Sequence, residues 1–179
     1  MHLLHGNDEE ALRYNRLAVD LGFGKKQPGI DAAVALRRRQ WDDAKRLITA
    51  QEELPPALRP AIGRYVDALA DPSLRPQVVA ELRRIDPEVV PQHKLIKPYV
   101  ELGAVDVAYE IMFDALARDP TVWAKHWDTD FAWGPEGAAM RRDPRFAELS
   151  RRMGFVDYWK QYGYPDGCRA GTDSPVVCG

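Results

Sequence analysis

Strand patterning is what this sequence most lacks. Apolar–polar alternation with β-branched or aromatic enrichment persists nowhere for more than about four residues, which excludes a chain built mainly from sheet. Histidine and cysteine are scarce: the 179 residues include four His (His2, His5, His93, His126) and two Cys (Cys168, Cys178). A closed zinc site needs four ligands, usually Cys or His in tight pairs, and no such pairs occur, so no metal is expected. Excess charge is missing as well, with 25 Lys plus Arg against 27 Asp plus Glu and a net charge of −2. Non-specific nucleic-acid binding requires a net basic face that displaces phosphate counterions, so this chain is not expected to contact nucleic acid. No apolar run approaches the roughly 20 residues of a membrane-spanning helix. The opening Met1–Gly6 segment is too short, and too soon acidic, for a signal peptide. No Gly-x-Ser-x-Gly, phosphate-cradling glycine loop or His-Glu-x-x-His occurs. Gly22-Phe23-Gly24-Lys25-Lys26 follows a helix rather than a strand and reads as a helix stop. Neither a catalytic set nor a cofactor is expected.

Helix punctuation is abundant instead. Asn7 is placed to cap a helix whose first turn is acidic (Asp8, Glu9, Glu10), with Glu10 at the capping-box position and Gly22 as the stop. Further helices are expected from about Asp31 to Arg39 and from Trp41 to the Leu54-Pro55-Pro56 break. Four more are expected at Arg59–Leu69, Leu74–Ile85, His93–Leu102 and Asp106–Arg118, separated by Asp71-Pro72, Asp86-Pro87, Gly103 and Asp119-Pro120. Short connections favour antiparallel neighbours. The fold class is all-α.

The helices recur. Ile85-Asp86-Pro87-Glu88-Val89 and Arg118-Asp119-Pro120-Thr121-Val122 lie 33 residues apart, and Ala44 falls 33 after Ala11. Gly6…Ala11 and Gly103…Ala108 share one internal spacing. A period near 34, with a small residue where paired helices cross and proline in the outgoing turn, resembles the tetratricopeptide repeat (TPR). The resemblance implies a degenerate helical-hairpin solenoid over residues 1–120, capping helices over 121–165 and an irregular tail over 166–179. The helix from Asp8 aligns with the second helix of a repeat. A longer parent protein, of which this is the C-terminal part, is therefore expected.

From Thr121 onward aromatics crowd the chain, including Trp123, Trp127, Trp133 and Trp159. Asp143 is placed to cap a helix beginning at Pro144, closed by Gly154, and Phe155 starts another. Arg142-Asp143-Pro144-Arg145-Phe146, then Tyr158-Trp159 and Pro165-Asp166-x-Cys168, resemble the closing motif of a bacterial group of tetratricopeptide proteins. The group often attaches such repeats to winged-helix regulators or nucleotide cyclases. The resemblance implies a regulatory or partner-binding arm. The rings are expected mainly as a cap on the repeats, with Trp127 and Trp133 facing a groove.

Stacked helix pairs leave a concave groove for a peptide or a partner's helix. Repeat alignment places Asp67, Lys94, Glu101 and Trp127 in it as partner-binding residues. The expected function is a non-catalytic interaction or regulatory module, with homo-oligomerisation, as a homodimer, the alternative. His93 and His126 are 33 residues apart, hence one repeat apart and too distant to share a metal. The arginine runs, among them Arg37-Arg38-Arg39 and Arg151-Arg152, have acids close by and read as solvated faces. Cys168 and Cys178 admit a disulfide or two reduced thiols. A disulfide would accord with an oxidising compartment and a membrane-anchored parent, reduced thiols with a cytoplasmic stand-alone chain.

Overall fold

Four Asp-Pro dipeptides set the rhythm of the chain. In each, the aspartate Oδ1 accepts the backbone N–H two residues on, at 2.9 Å: Asp71 from Ser73, Asp86 from Glu88, Asp119 from Thr121 and Asp143 from Arg145. The residue before proline is pushed to extended backbone, so the preceding helix stops there. Proline's fixed φ then starts the next turn, while the carboxylate satisfies one of its free donors. Asp71, Asp119 and Asp143 have the extended conformation this requires.

The structure, a computed structural model, describes residues 7–22, 28–52, 54–126 and 130–179; the side chains of residues 28, 125, 126 and 130 lie outside the description. The described residues are mostly helical, with eleven α-helices and one two-stranded ladder. The chain divides into two compact units, up to Arg84 and from Ile85 onward. The boundary between the units falls beside the Asp86-Pro87 turn.

The first unit holds α1 (Asp8–Asp20), α2 (Pro28–Arg37), α3 (Trp41–Thr49), α4 (Arg59–Ala70) and α5 (Arg75–Arg83). Each packs chiefly on its sequence neighbours. Their small and branched residues, among them Ala44, Val66, Ala68, Val78 and Leu82, are buried. Between α1 and α2, Arg37 pairs with Asp8 at 3.1 Å. Two local expectations change. The Asn7 side chain makes no capping bond, and Glu10 instead pairs with Arg13 at 2.7 Å. α3 ends at Thr49, well before the prolines, with the Thr49 hydroxyl donating back to the Lys45 carbonyl.

The second unit contains α6 (Ile96–Glu101), α7 (Val105–Arg118), α8 (Val122–His126), α9 (Ala138–Arg142), α10 (Arg145–Arg152) and α11 (Phe155–Tyr162). The helix expected from His93 begins as a 3-10 turn, Gln92–Leu95, and becomes α6 at Ile96. α10 packs on α7 as well as on α9 and α11. Tyr109 of α7 is fully buried and donates its hydroxyl to the Met140 carbonyl of α9 at 2.9 Å. Residues 166–179 carry strands β1 (Cys168–Arg169) and β2 (Val177–Cys178), antiparallel and with Cys168 opposite Cys178. Those two cysteines are joined by a disulfide, and β2 packs against α9.

One joint occurs in both units. After α2, Arg39 N–H donates to Leu36 and Gln40 N–H to Ala35; after α6, Gly103 N–H donates to Val100 and Ala104 N–H to Tyr99. This is the Schellman closure, which needs a left-handed residue past the helix end. Arg39 (φ 56°) and Gly103 (φ 79°) fill that place. Five residues later Ala44 and Ala108 lie at 0% exposure, where the returning helix crosses its partner.

Candidate functional site

The rings of the second unit assemble on the corner between α10 and α11. Gly154 turns that corner with φ 79°, a backbone that side-chain-bearing residues rarely adopt. α11 then presents Phe155, Tyr158, Trp159 and Tyr162 at helical 3–4 spacing. Trp159 is buried, whereas Tyr158 and Tyr162 are 58% and 65% exposed. Trp123 of α8 meets Phe155 edge-on at 4.9 Å, and Trp133 meets Trp159 edge-on at 5.8 Å. Tyr164, beyond the end of α11, closes on Trp159 at 6.1 Å. Edge-to-face and tilted pairs at these separations suit the ring quadrupoles.

Trp133 sits on a segment without long helix, so its position is imposed by neighbours. The Arg141 guanidinium donates to the carbonyls of Ala132 and Gly134. Gly137 allows the same segment to fold tightly, because a Cβ there would lie 2.5 Å from the Ala132 carbonyl oxygen and 2.6 Å from that of Phe131. Burial lowers the Arg141 pKa, with Arg142 adding to the effect, so this guanidinium is held among carbonyls at a desolvation cost.

The result is an open groove of about 690 Å³, lined by Trp123, Trp133, Met153, Gly154, Phe155, Tyr158, Trp159 and Pro165. Among the described residues, none that lines it is charged. Beside it lies a cavity of about 30 Å³ whose lining includes His93, Met112, Met140 and Ser150. It has room for a single water, and the buried Ser150 hydroxyl has no hydrogen-bond partner among the described residues.

The charged groups of this unit serve geometry. Arg145 contacts Asp143 and Asp106 at 2.6 Å each, and its guanidinium stacks 4.6 Å from the Tyr109 ring centroid. Hydrogen bonding from Arg145 holds the Asp143 carboxyl below its usual range. Burial, then the charge of Asp143, pushes the Tyr109 phenol up. Glu148 is brought down to about 2 by hydrogen bonds from Arg151 and then Arg152. Among the described residues, no group of three His, Cys, Asp or Glu is placed to hold a metal ion.

The residues expected to line a repeat groove have varied fates. Asp67, in the first unit, pairs with Lys45 at 2.8 Å. Lys94 is exposed on the 3-10 turn before α6, in the second unit. Glu101, near the end of α6, is only 10% exposed at its side chain and lies 3.9 Å from Lys97. Trp127 lies outside the described residues, as do the side chains of His126 and Asp130. Trp133, expected to face a groove, lines this one. Sequence reading missed the pairing of Trp123 with α11 and the part played by Pro165. The usable signal was the ring stripe 155/158/159/162, whose outer members stay exposed. Comparison with family models, curated proteins and solved structures yields no match for this chain.

Proposed function

We propose that this chain is a non-catalytic binding module, resembling a tetratricopeptide-type helical solenoid, that acts as a regulatory arm and takes its partner on the aromatic groove of the second unit. The observation that carries the reading is the groove itself: five rings, Met153 and Pro165 around about 690 Å³ of open space, with no charged lining residue among those described. Grooves of this size and chemistry suit an uncharged apolar segment, and ring-lined clefts in particular suit proline-bearing extended peptides. The solenoid part of the reading draws support from the neighbour-by-neighbour packing of α1 to α5 and from the repeated Schellman joint with its buried alanine.

The test is selection of a displayed peptide library on the whole chain. Enriched peptides are expected to be apolar and uncharged, and Trp123→Ala should weaken them by about tenfold or more, the effect of removing an aromatic anchor. Charged peptides that ignore Trp123→Ala, and respond instead to Asp67→Lys or to Lys94→Glu with Glu101→Lys, would move the site to the polar residues.

A second reading, homo-oligomerisation, is favoured by the outer face of α1. There Tyr14 and Leu17, with Leu21 just past the helix end, are 45%, 38% and 61% exposed and follow helical spacing. Stable homodimers bury well over ~1,000 Å². Dimerisation seen by light scattering, and lost in Leu17→Glu, would favour this reading over the groove.

A further inference from the structure

We infer that the Cys168–Cys178 disulfide is a redox latch holding one wall of the aromatic groove. The inference rests on the reading of that groove as a contact surface. Pro165 forms the wall, and its carbonyl accepts the Cys168 N–H at 2.9 Å. The adjoining Tyr164 touches Trp159 with its ring and directs its hydroxyl to the Pro175 carbonyl at 3.4 Å. Wall and hairpin are thus tied at two points, one on each side of the loop that the disulfide closes.

Besides the disulfide, the hairpin is closed by a short ladder and by the Gly179 N–H, which donates to the Gly167 carbonyl at 3.0 Å. Its ladder is two residues per strand, and an isolated two-stranded hairpin is marginal in water even when longer. Val176 and Cys178 are buried, and β2 lies against α9, but most of the loop between the cysteines is exposed. The covalent bond therefore keeps β1 paired with β2. Opening it lets Cys168, with the Pro165 carbonyl hydrogen-bonded to it, leave its partner strand, so that the wall is tied to the second arm only through the Tyr164 hydroxyl on Pro175.

The co-reactant is a dithiol. One of its thiolates attacks a cystine sulfur, Cys168 being the less buried of the two, and the S–S bond breaks with Cys178 departing as a thiolate that takes up a proton. The second thiol then resolves the mixed disulfide and frees Cys168, which gains the second proton. Two electrons pass to the protein, and the dithiol ends as a disulfide. Oxidation reverses each step.

The experiment uses the full chain, oxidised and dithiothreitol-reduced, with the neutral apolar dye Nile red as probe and the tryptophan indole N–H signals as an internal readout. Reduction is expected to move the Trp133 and Trp159 signals and leave Trp41 in place. It should also weaken dye binding by about threefold or more, as the competent wall becomes a minority conformation. Cys168→Ser with Cys178→Ser should match the reduced protein; should it fail to fold, reversible reduction of the native chain gives the same comparison. Unmoved groove indoles with unchanged dye affinity overturn the latch and leave the binding site standing. Loss of helical circular dichroism on reduction also overturns it, since the bond would then staple the whole unit. Groove indoles that move while neither form binds dye support the latch and defeat the binding-site reading.

Discussion

The α2–α3 and α6–α7 hairpins share one joint and differ in the residue that makes it. Gly103 enters the left-handed conformation without a steric cost, whereas Arg39 does so against one of about 1–2 kcal/mol. The bonds that close both joints are the same, as are the buried alanines five residues on. Backbone closure and helix packing therefore set the turn, and residue choice only adjusts its stability. The two units diverge beyond these hairpins. In the first, helices meet chiefly their neighbours in sequence; in the second, α10 returns to α7 and β2 to α9. Described groove and disulfide both belong to the unit whose chain folds back.

The largest expected effect tests whether the two joints are equivalent. Ala44→Leu and Ala108→Leu each force a large side chain into a fully closed crossing, and each should cost about 1–3 kcal/mol. Hydrogen exchange resolves the loss unit by unit, which a single melting temperature would not. If Ala44→Leu is neutral, the α2–α3 crossing is looser than its counterpart and the parallel fails.

A smaller effect sharpens the difference at the turn. Arg39→Gly should stabilise the first unit by roughly 0.5–1 kcal/mol, the relief of a left-handed side chain less glycine's extra entropy. Gly103→Ala should destabilise the second by about 1 kcal/mol. No atom lies within 4 Å of where the new Cβ would stand, so the effect isolates backbone conformation. Denaturant midpoints measure both, and equal signs would contradict the shared geometry.

The smallest effect is a difference in acid sensitivity. Glu148 titrates at about 2 when folded, below its unfolded value of about 4.3, so the contribution of its arginine contacts is complete above the unfolded value. It fades as pH falls through that interval to about 2. Asp143, also lowered, adds to the second unit in the same direction, and Asp71 does so in the first. Glu148 is solvent-exposed enough that its share is slight. A carboxyl titration by NMR should place Glu148 near 2, and Glu148→Gln should flatten the acid limb of the second unit's stability. A Glu148 titration near 4.3 would show that the arginine pair is not populated.

Much of the helical framework was legible because its signals are local. The Asp-Pro turns at 71, 86, 119 and 143 are each specified by two adjacent residues, and the structure forms all four alike. Gly103 and Gly154 marked helix ends for the same reason. Asn7 and Pro55 misled, since a cap depends on a rotamer and a helix can end before its breaker: Thr49 turned its hydroxyl onto the Lys45 carbonyl first. Of the groove, the α11 stripe was visible in spacing, but Trp123 and Pro165 are 42 residues apart and join it only through folding. The cysteine pair was legible as an alternative; register, with Cys168 opposite Cys178, is what unites it in the structure.

The sequence by itself determined that the chain is helical and where most helices stop, because proline, glycine and aspartate act on backbone dihedrals within a few residues. Only tertiary structure decided that Arg39 would take a left-handed turn, that Arg141 would hold the Trp133 segment, and that rings from α8, α11 and the tail would share one groove. Those outcomes depend on which surfaces meet after collapse, where packing and desolvation among residues distant in the chain outweigh local preference.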